Sequence, residues 1–147
     1  MFGGGIIHMD DFFLPSPLRT QARLSEPGGN VHRERFTEEV LPALRRPDPF
    51  RYRTFDCSVM DYGADRAVQS GALRIVEGAY SLHPSFKRYY DFSLFLSIGS
   101  EKQIERIRKR NGDAAAEAFL TKWIPMEKKY QRAFSIPENA GMILRMD

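Results

Sequence analysis

Three groups of residues in this 147-residue chain have the type and spacing to do chemistry. Asp10 and Asp11 follow a short apolar stretch, Gly5-Ile6-Ile7-His8-Met9, and lead into Phe12-Phe13-Leu14-Pro15. Glu77 ends a second apolar stretch, Ala72-Leu73-Arg74-Ile75-Val76, and precedes Gly78. Arg106 and Arg110 stand four apart in the segment Arg106-Ile107-Arg108-Lys109-Arg110. A carboxylate at the C-terminal end of a strand sits where α/β enzymes bind ligands, in the crevice beyond the strand ends. There it can take a proton or hold a hydrated cation. Arginines four apart share one helical face, and each guanidinium is a permanently charged fork that matches phosphate oxygens. The same residues have plainer uses. Strand-end aspartates cap turns, and a charge run with a Glu105–Lys109 pair makes a solvated helix face.

The elements that must position these groups are readable as alternating strands and helices. Residues 5–9, 72–77, 92–98 and 142–144 are short apolar runs of the kind that form buried strands. Residues 11–30 hold three prolines and end in Glu26-Pro27-Gly28-Gly29-Asn30, which predicts a long loop with Asn30 as the following N-cap. Phe36, Val40, Leu41 and Leu44 fall on one face of a helix over 31–46, kinked by Pro42. Residues 50–62 alternate aromatic and polar side chains and predict an extended hairpin or flap. Residues 100–111 predict a charged helix with Ile104 and Ile107 inward, broken at Asn111-Gly112. Phe119, Trp123, Tyr130 and Phe134 then keep a helical stripe across Pro125. This alternation predicts an α/β fold with a parallel sheet flanked by helices.

Composition narrows the function classes. With 42% hydrophobic and 28% charged residues the chain is ordinary for a globular protein, and its length predicts one domain over 1–147. No apolar run reaches the length that spans a bilayer. The N-terminus lacks the basic and apolar regions of a signal peptide, so the expected compartment is the cytoplasm. The single cysteine, Cys57, allows no internal disulfide. The histidines at 8, 32 and 83 have no metal-ligand spacing. The net charge of +3 owes much to Lys102, Arg106, Arg108, Lys109 and Arg110. Without interleaved aromatics this cluster does not predict nucleic-acid binding.

Read in order, the motifs resemble the uridine kinase and phosphoribulokinase branch of the P-loop kinases. HMDDFFLP is similar to that family's strand-end carboxylate motif, and EPGGNVHRERF to its substrate loop and helix. RYRTFDCSVMDYG resembles its substrate-covering hairpin, LRIVEGAYSLHP the strand with its second acid, RIRKRNG its arginine-bearing lid, and FLTKWIPMEKKYQRAF the helix after that lid. The resemblance spans essentially the whole chain. It implies transfer of the γ-phosphoryl group of ATP, with Mg2+, to a hydroxyl of a nucleoside or related small molecule. It further implies Asp10 as catalytic base, Glu77 with Asp10 near the magnesium, and Asp11, His32, Phe55, Asp56 and Met60 about the acceptor. Arg106 and Arg110 would meet ATP from a lid at about 100–115. Two positions depart from the family pattern. Met60 stands where a histidine helps read the pyrimidine, and His32 where an aspartate binds ribose, so uridine itself is not implied as the acceptor.

One family part has no counterpart here. The chain contains no GxxxxGK[ST] loop, whose backbone N–H groups and lysine cradle phosphates. Phe2-Gly3-Gly4-Gly5 is similar to the tail of the helix that would follow such a loop, with its turn. The expectation is an N-terminally truncated kinase-like chain, inactive in this form, whose missing first strand belongs between 72–77 and 92–98. The open edges would then favour self-association. The alternative is a non-catalytic kinase-like fragment that binds a small molecule or a partner chain.

Overall fold

The computed structural model describes residues 4–146. Phe2 and Gly3, part of the similarity noted for Phe2-Gly3-Gly4-Gly5, therefore lie outside the described residues. Two compact units, Met1–Tyr89 and Tyr90–Asp147, account for the chain. In the first, strand β1 (Gly4–His8) pairs in parallel with β4 (Leu73–Glu77), with Ile6 opposite Ile75 and His8 opposite Glu77. Strands β2 (Phe50–Asp56) and β3 (Asp61–Val68) form an antiparallel hairpin with an irregularity between Arg53 and Phe55. The hairpin is longer than the sequence predicts, because its polar second strand runs on to Val68.

The long loop is partly ordered into short turns and a helix, α1 (Gln21–Ser25). The helix expected over 31–46 is two pieces, α2 (Arg33–Glu39) and α3 (Leu41–Leu44), with Pro42 in the first turn of α3. Pro42 has no N–H to continue the first helix, so the chain restarts after Val40. Asn30 is not the N-cap. Its carbonyl accepts from the Leu14 N–H at 3.0 Å, and Phe13 bridges Val31, which holds this stretch extended. The helix starts two residues later, with the His32 ring accepting from the Arg35 N–H at 3.2 Å. Arg23 clips the loop to this helix. Its guanidinium donates to the Gly29 and Val31 carbonyls and grips both Glu34 carboxylate oxygens at 2.8 and 2.9 Å. That grip holds the Glu34 carboxyl down at about 2.

The core of this unit is aromatic. Phe12 meets Phe36 edge-on at 5.0 Å and Tyr52 at 5.2 Å, and Phe36 meets Phe86 at 4.7 Å. Arg35 is buried among them, 4.2 Å from the Phe12 ring centroid. It donates to the Arg53 carbonyl at 2.7 Å, to the Asp11 carbonyl, and to Glu39 at 3.3 Å. Only one face of the β1–β4 ladder is covered. Ile7 is fully buried, whereas Ile6, Leu73 and Ile75 lie 44–51% exposed on the other face. Strand 72–77 is thus not the buried strand that its apolar run predicts. Burial requires cover on both faces, and here one neighbour strand and one covered face are present.

The second unit pairs β5 (Leu94–Ser97) in parallel with β6 (Met142–Arg145). Leu94, Leu96, Met142 and Leu144 share an exposed face, again unlike the expected buried strand. Helix α4 (Ser100–Asn111) ends at Gly112, whose φ of +81° is a turn-off that other residues resist. Helix α5 (Asp113–Ala118) runs through a widened π turn at Phe119–Trp123 into α6 (Ile124–Ala133). The widening sits just ahead of Pro125, which has no N–H to donate to an upstream carbonyl. Ile107, Ala116 and Ile124 form the core here, with Phe119 and Leu120 against it. Helix α7 (Ile136–Asn139) leads to β6. Among the described residues, no helix is long and apolar enough to cross a membrane.

Two predictions follow from these buried groups. Burial, with Arg33 and Arg23 nearby, pushes the His83 imidazole from its ordinary 6.5 down to about 4. Its Nδ1 accepts from the Ser85 N–H at 3.2 Å, which needs the unprotonated ring. Because the folded value lies below the unfolded one, this contribution is complete above pH 6.5 and is lost as pH falls toward 4. Thermal midpoints should therefore decline over that window, and His83→Asn should reduce the slope; an unchanged slope would place its source elsewhere. Arg35→Met should cost about 2–4 kcal/mol in urea denaturation, since it strands buried carbonyls. The exposed Arg51, 3.7 Å from Asp65, should cost under about 1 kcal/mol when changed to Met. Equal losses would refute the central place given to Arg35.

Candidate active site

The C-terminal ends of β1 and β4 bring two of the sequence-predicted carboxylates together. Parallel register sets His8 beside Glu77, and their side chains make a close Nδ1–Oε1 contact. After His8 the chain winds into a tight 3-10 turn, Met9–Phe12. Successive residues of such a turn point about 120° apart, so Asp10 and Asp11 diverge. Asp10 is exposed. Gly78, at φ +130°, lets the two strand ends approach: a Cβ there would lie 2.9 Å from Met9 Cβ and 3.6 Å from Asp10 Oδ1.

Asp11 turns inward and is buried. Its Oδ2 accepts from the Tyr52 hydroxyl at 2.9 Å and lies 3.1 Å from Arg66 Nε. Burial is the main cause that pushes the Tyr52 phenol up to about 12, with the Asp11 carboxylate adding to it. The Tyr52 oxygen also accepts from the His8 N–H at 3.3 Å. The hairpin that provides Tyr52 and Arg66 settles on the loop after Asp11. Phe55 packs edge-on to Phe13 at 6.3 Å, and the Met60 carbonyl accepts from the Ser16 N–H at 3.4 Å. Met60 sits at the hairpin turn with φ +56°, a left-handed conformation that costs a non-glycine residue about 1–3 kcal/mol. Asp56 is exposed and bonds the Ser58 N–H at 2.8 Å and its hydroxyl at 2.5 Å, closing the turn; these bonds lower its pKa. Partial burial, then the charge of Asp10, raises the pKa of the Cys57 thiol in this turn.

His32 stands apart from this cluster in its bonding. Its Nδ1 serves as the cap of α2 and lies 3.4 Å from Glu34, and burial is the first cause lowering its pKa. In the second unit, Arg106 and Arg110 line a cavity of about 440 Å³ with Gln103 and Glu127, floored by Ile98, Ile107, Phe119 and Ile124. Arg110 Nε donates to the Asn111 side chain at 2.7 Å, while Arg108 pairs with Asp113 at 3.6 Å. Sequence reasoning missed Tyr52, Arg66, Arg35 and the His8–Glu77 contact. The alternation in Arg51-Tyr52-Arg53-Thr54-Phe55 carried a signal for Tyr52, because every second side chain of a strand faces inward; nothing local marks Arg66.

As a test of cofactor fit, no group of three or more His, Cys, Asp or Glu among the described residues forms a metal cage. Asp10 and Glu77 suit the other arrangement open to magnesium, in which one or two carboxylates act together with waters and substrate oxygens. The sequence contains no GxxxxGK[ST] loop to cradle the phosphates of ATP.

Comparison with known proteins gives structural matches only. No family model matches the chain, and no curated protein matches it. Among solved structures, a candidate uridine kinase from Bacillus stearothermophilus aligns with a TM-score of 0.68 at 14% identity, over 97% of this chain and 72% of that one. A candidate fructose transport system kinase from Silicibacter sp. TM1040 aligns with a TM-score of 0.73 at 21% identity, over 97% and 75%. YFH7 from Saccharomyces cerevisiae, a candidate P-loop kinase with a circular permutation, aligns with a TM-score of 0.69 at 16% identity, over 99% and 59%. At these identities the likeness establishes the fold alone: this chain is a mixed α/β protein with parallel strand ladders flanked by helices, as in those structures.

Proposed function

We propose that this chain forms the acceptor and lid side of an ATP-dependent phosphotransferase that acts on a hydroxyl of a nucleoside or related small molecule. The observation that carries this reading is the convergence of Asp10 and Glu77 at the C-terminal ends of parallel β1 and β4, with Gly78 allowing the close approach. In this reading Asp10 accepts the hydroxyl proton of the acceptor. Glu77 would hold a magnesium ion, which would neutralise phosphate charge when bound. The β2–β3 hairpin, with Phe55, Asp56 and Met60, covers the acceptor. Arg106 and Arg110 meet anionic oxygens from their cavity. The structural neighbours described as kinases support the reaction class. Lacking the phosphate-cradling loop within these 147 residues, the chain alone is inactive in this reading.

Titration calorimetry with Mg-ATP should therefore show weak binding or none. Tight, magnesium-dependent binding would mean that the cradle is dispensable and would sink that part of the reading. In a version supplied with a phosphate loop, Asp10→Asn should slow phosphoryl transfer by ~10²–10⁴-fold with nucleotide affinity nearly unchanged. Normal turnover of that variant would make Asp10 a turn residue.

A further inference from the structure

We propose that Asp11 is a positioning residue, whose carboxylate seats the β2–β3 hairpin over the strand end that carries Asp10. What the hairpin encloses rests on the phosphotransferase reading; the seating itself does not. Tyr52 and Arg66 are direct partners across the hairpin ladder. Both reach the same oxygen of Asp11. One carboxylate oxygen thus collects a side chain from each strand and ties the whole ribbon to the end of β1. Asp11 is only 11% exposed in its side chain, so it is already committed and poorly placed to meet an acceptor.

The other attachments of the hairpin are of a different kind. Phe55 on Phe13 is apolar, and Met60 on Ser16 is a single long backbone bond. Arg35 and Glu39 hold the hairpin at Arg53, next to Tyr52 and on the same side of the strand irregularity, through its carbonyl and its N–H rather than through Asp11. The ion pair of Asp11 with Arg66 is the one that β3 makes with the carboxylate beside Asp10. Arg66 is 44% exposed, so water competes for it and the seat can release. Tyr52 stays packed against Phe12 in the aromatic core, so what can release is the tie between Asp11 and β3.

The test is residue-resolved amide exchange by NMR on the 147-residue chain, with neither nucleotide nor acceptor present. Three amides donate across the junction between hairpin and body: His8 to the Tyr52 oxygen, Ser16 to the Met60 carbonyl, and Arg53 to Glu39. Asp11→Asn keeps the size of the side chain but removes the ion pair. It should speed exchange at His8 and Ser16 by about tenfold, the effect of losing a charge-assisted bond. Arg53, whose amide is held by Glu39 and not by a group tied to Asp11, should change less, and Val40 within the α2–α3 junction should not change. Arg66→Met, at an exposed position, should give the same pattern and guards against a folding defect at Asp11. Unchanged exchange at His8 and Ser16 in either variant overturns the proposal. So does an equal rise at Val40, which would make Asp11 a general stability residue. Because no nucleotide enters this experiment, its failure is separate from failure of the phosphotransferase reading.

Discussion

The buried guanidinium of Arg35 is the constraint on which the first unit depends. A charge removed from water must be met by acceptors or its burial is prohibitive. Arg35 meets that demand from three directions at once: the Asp11 carbonyl at the end of β1, the Arg53 carbonyl in the hairpin, and Glu39 on its own helix. Phe12 and Tyr62 flank it with their rings at 4.2 and 5.1 Å. Burial pulls its pKa down, and Glu39 foremost among its neighbours pushes it back up. Strand end, hairpin and helix α2 are therefore fixed by one cation. Arg35 holds Asp11 by its carbonyl, while Tyr52 and Arg66 hold its carboxylate.

This arrangement separates two adjacent carboxylates into different tasks. Asp10 keeps the solvent side near Gly78 and Glu77; Asp11 takes the interior. Like charges side by side would otherwise compete for the same ligand and raise each other's cost of ionisation. The tight turn at Met9–Phe12 resolves this geometrically, and Arg66 resolves it electrostatically.

Much of this was legible in the sequence, for reasons that can be stated. The apolar runs at 5–9 and 72–77 mark strands because such runs suit parallel ladders, and a carboxylate at the end of each marks a site. Pro42 and Gly112 announce the helix breaks, because one lacks a donor and the other tolerates φ of +81°. The extent of the hairpin was not legible, since Asp61-Tyr62-Gly63-Ala64-Asp65-Arg66 carries little apolar alternation and is a strand through its pairing. Asn30 reads as a cap, but a bridge from Phe13 to Val31 claims the backbone there. Tyr52, Arg66 and Arg35 reach Asp11 from 24 to 55 positions away in the chain, and no local pattern records a contact that register alone creates. The exposure of Leu73, Ile75, Leu94 and Leu96 was also hidden, because a run of apolar residues states a preference for cover and not its presence.

The widened turn at Phe119–Trp123 sets the phase of the helix that contains it. Ala116 and Ile124 are eight residues apart, which on a regular α-helix would put them about 80° out of alignment. One surplus residue absorbed by a π turn winds that back to about 20°, as for a seven-residue spacing. The two side chains can then face Ile107 together. The irregularity ahead of Pro125 thus works as a vernier. It lets a sequence with the wrong count of residues present one continuous apolar seam, and it makes the length of that segment, more than the identity of any residue in it, the quantity under constraint.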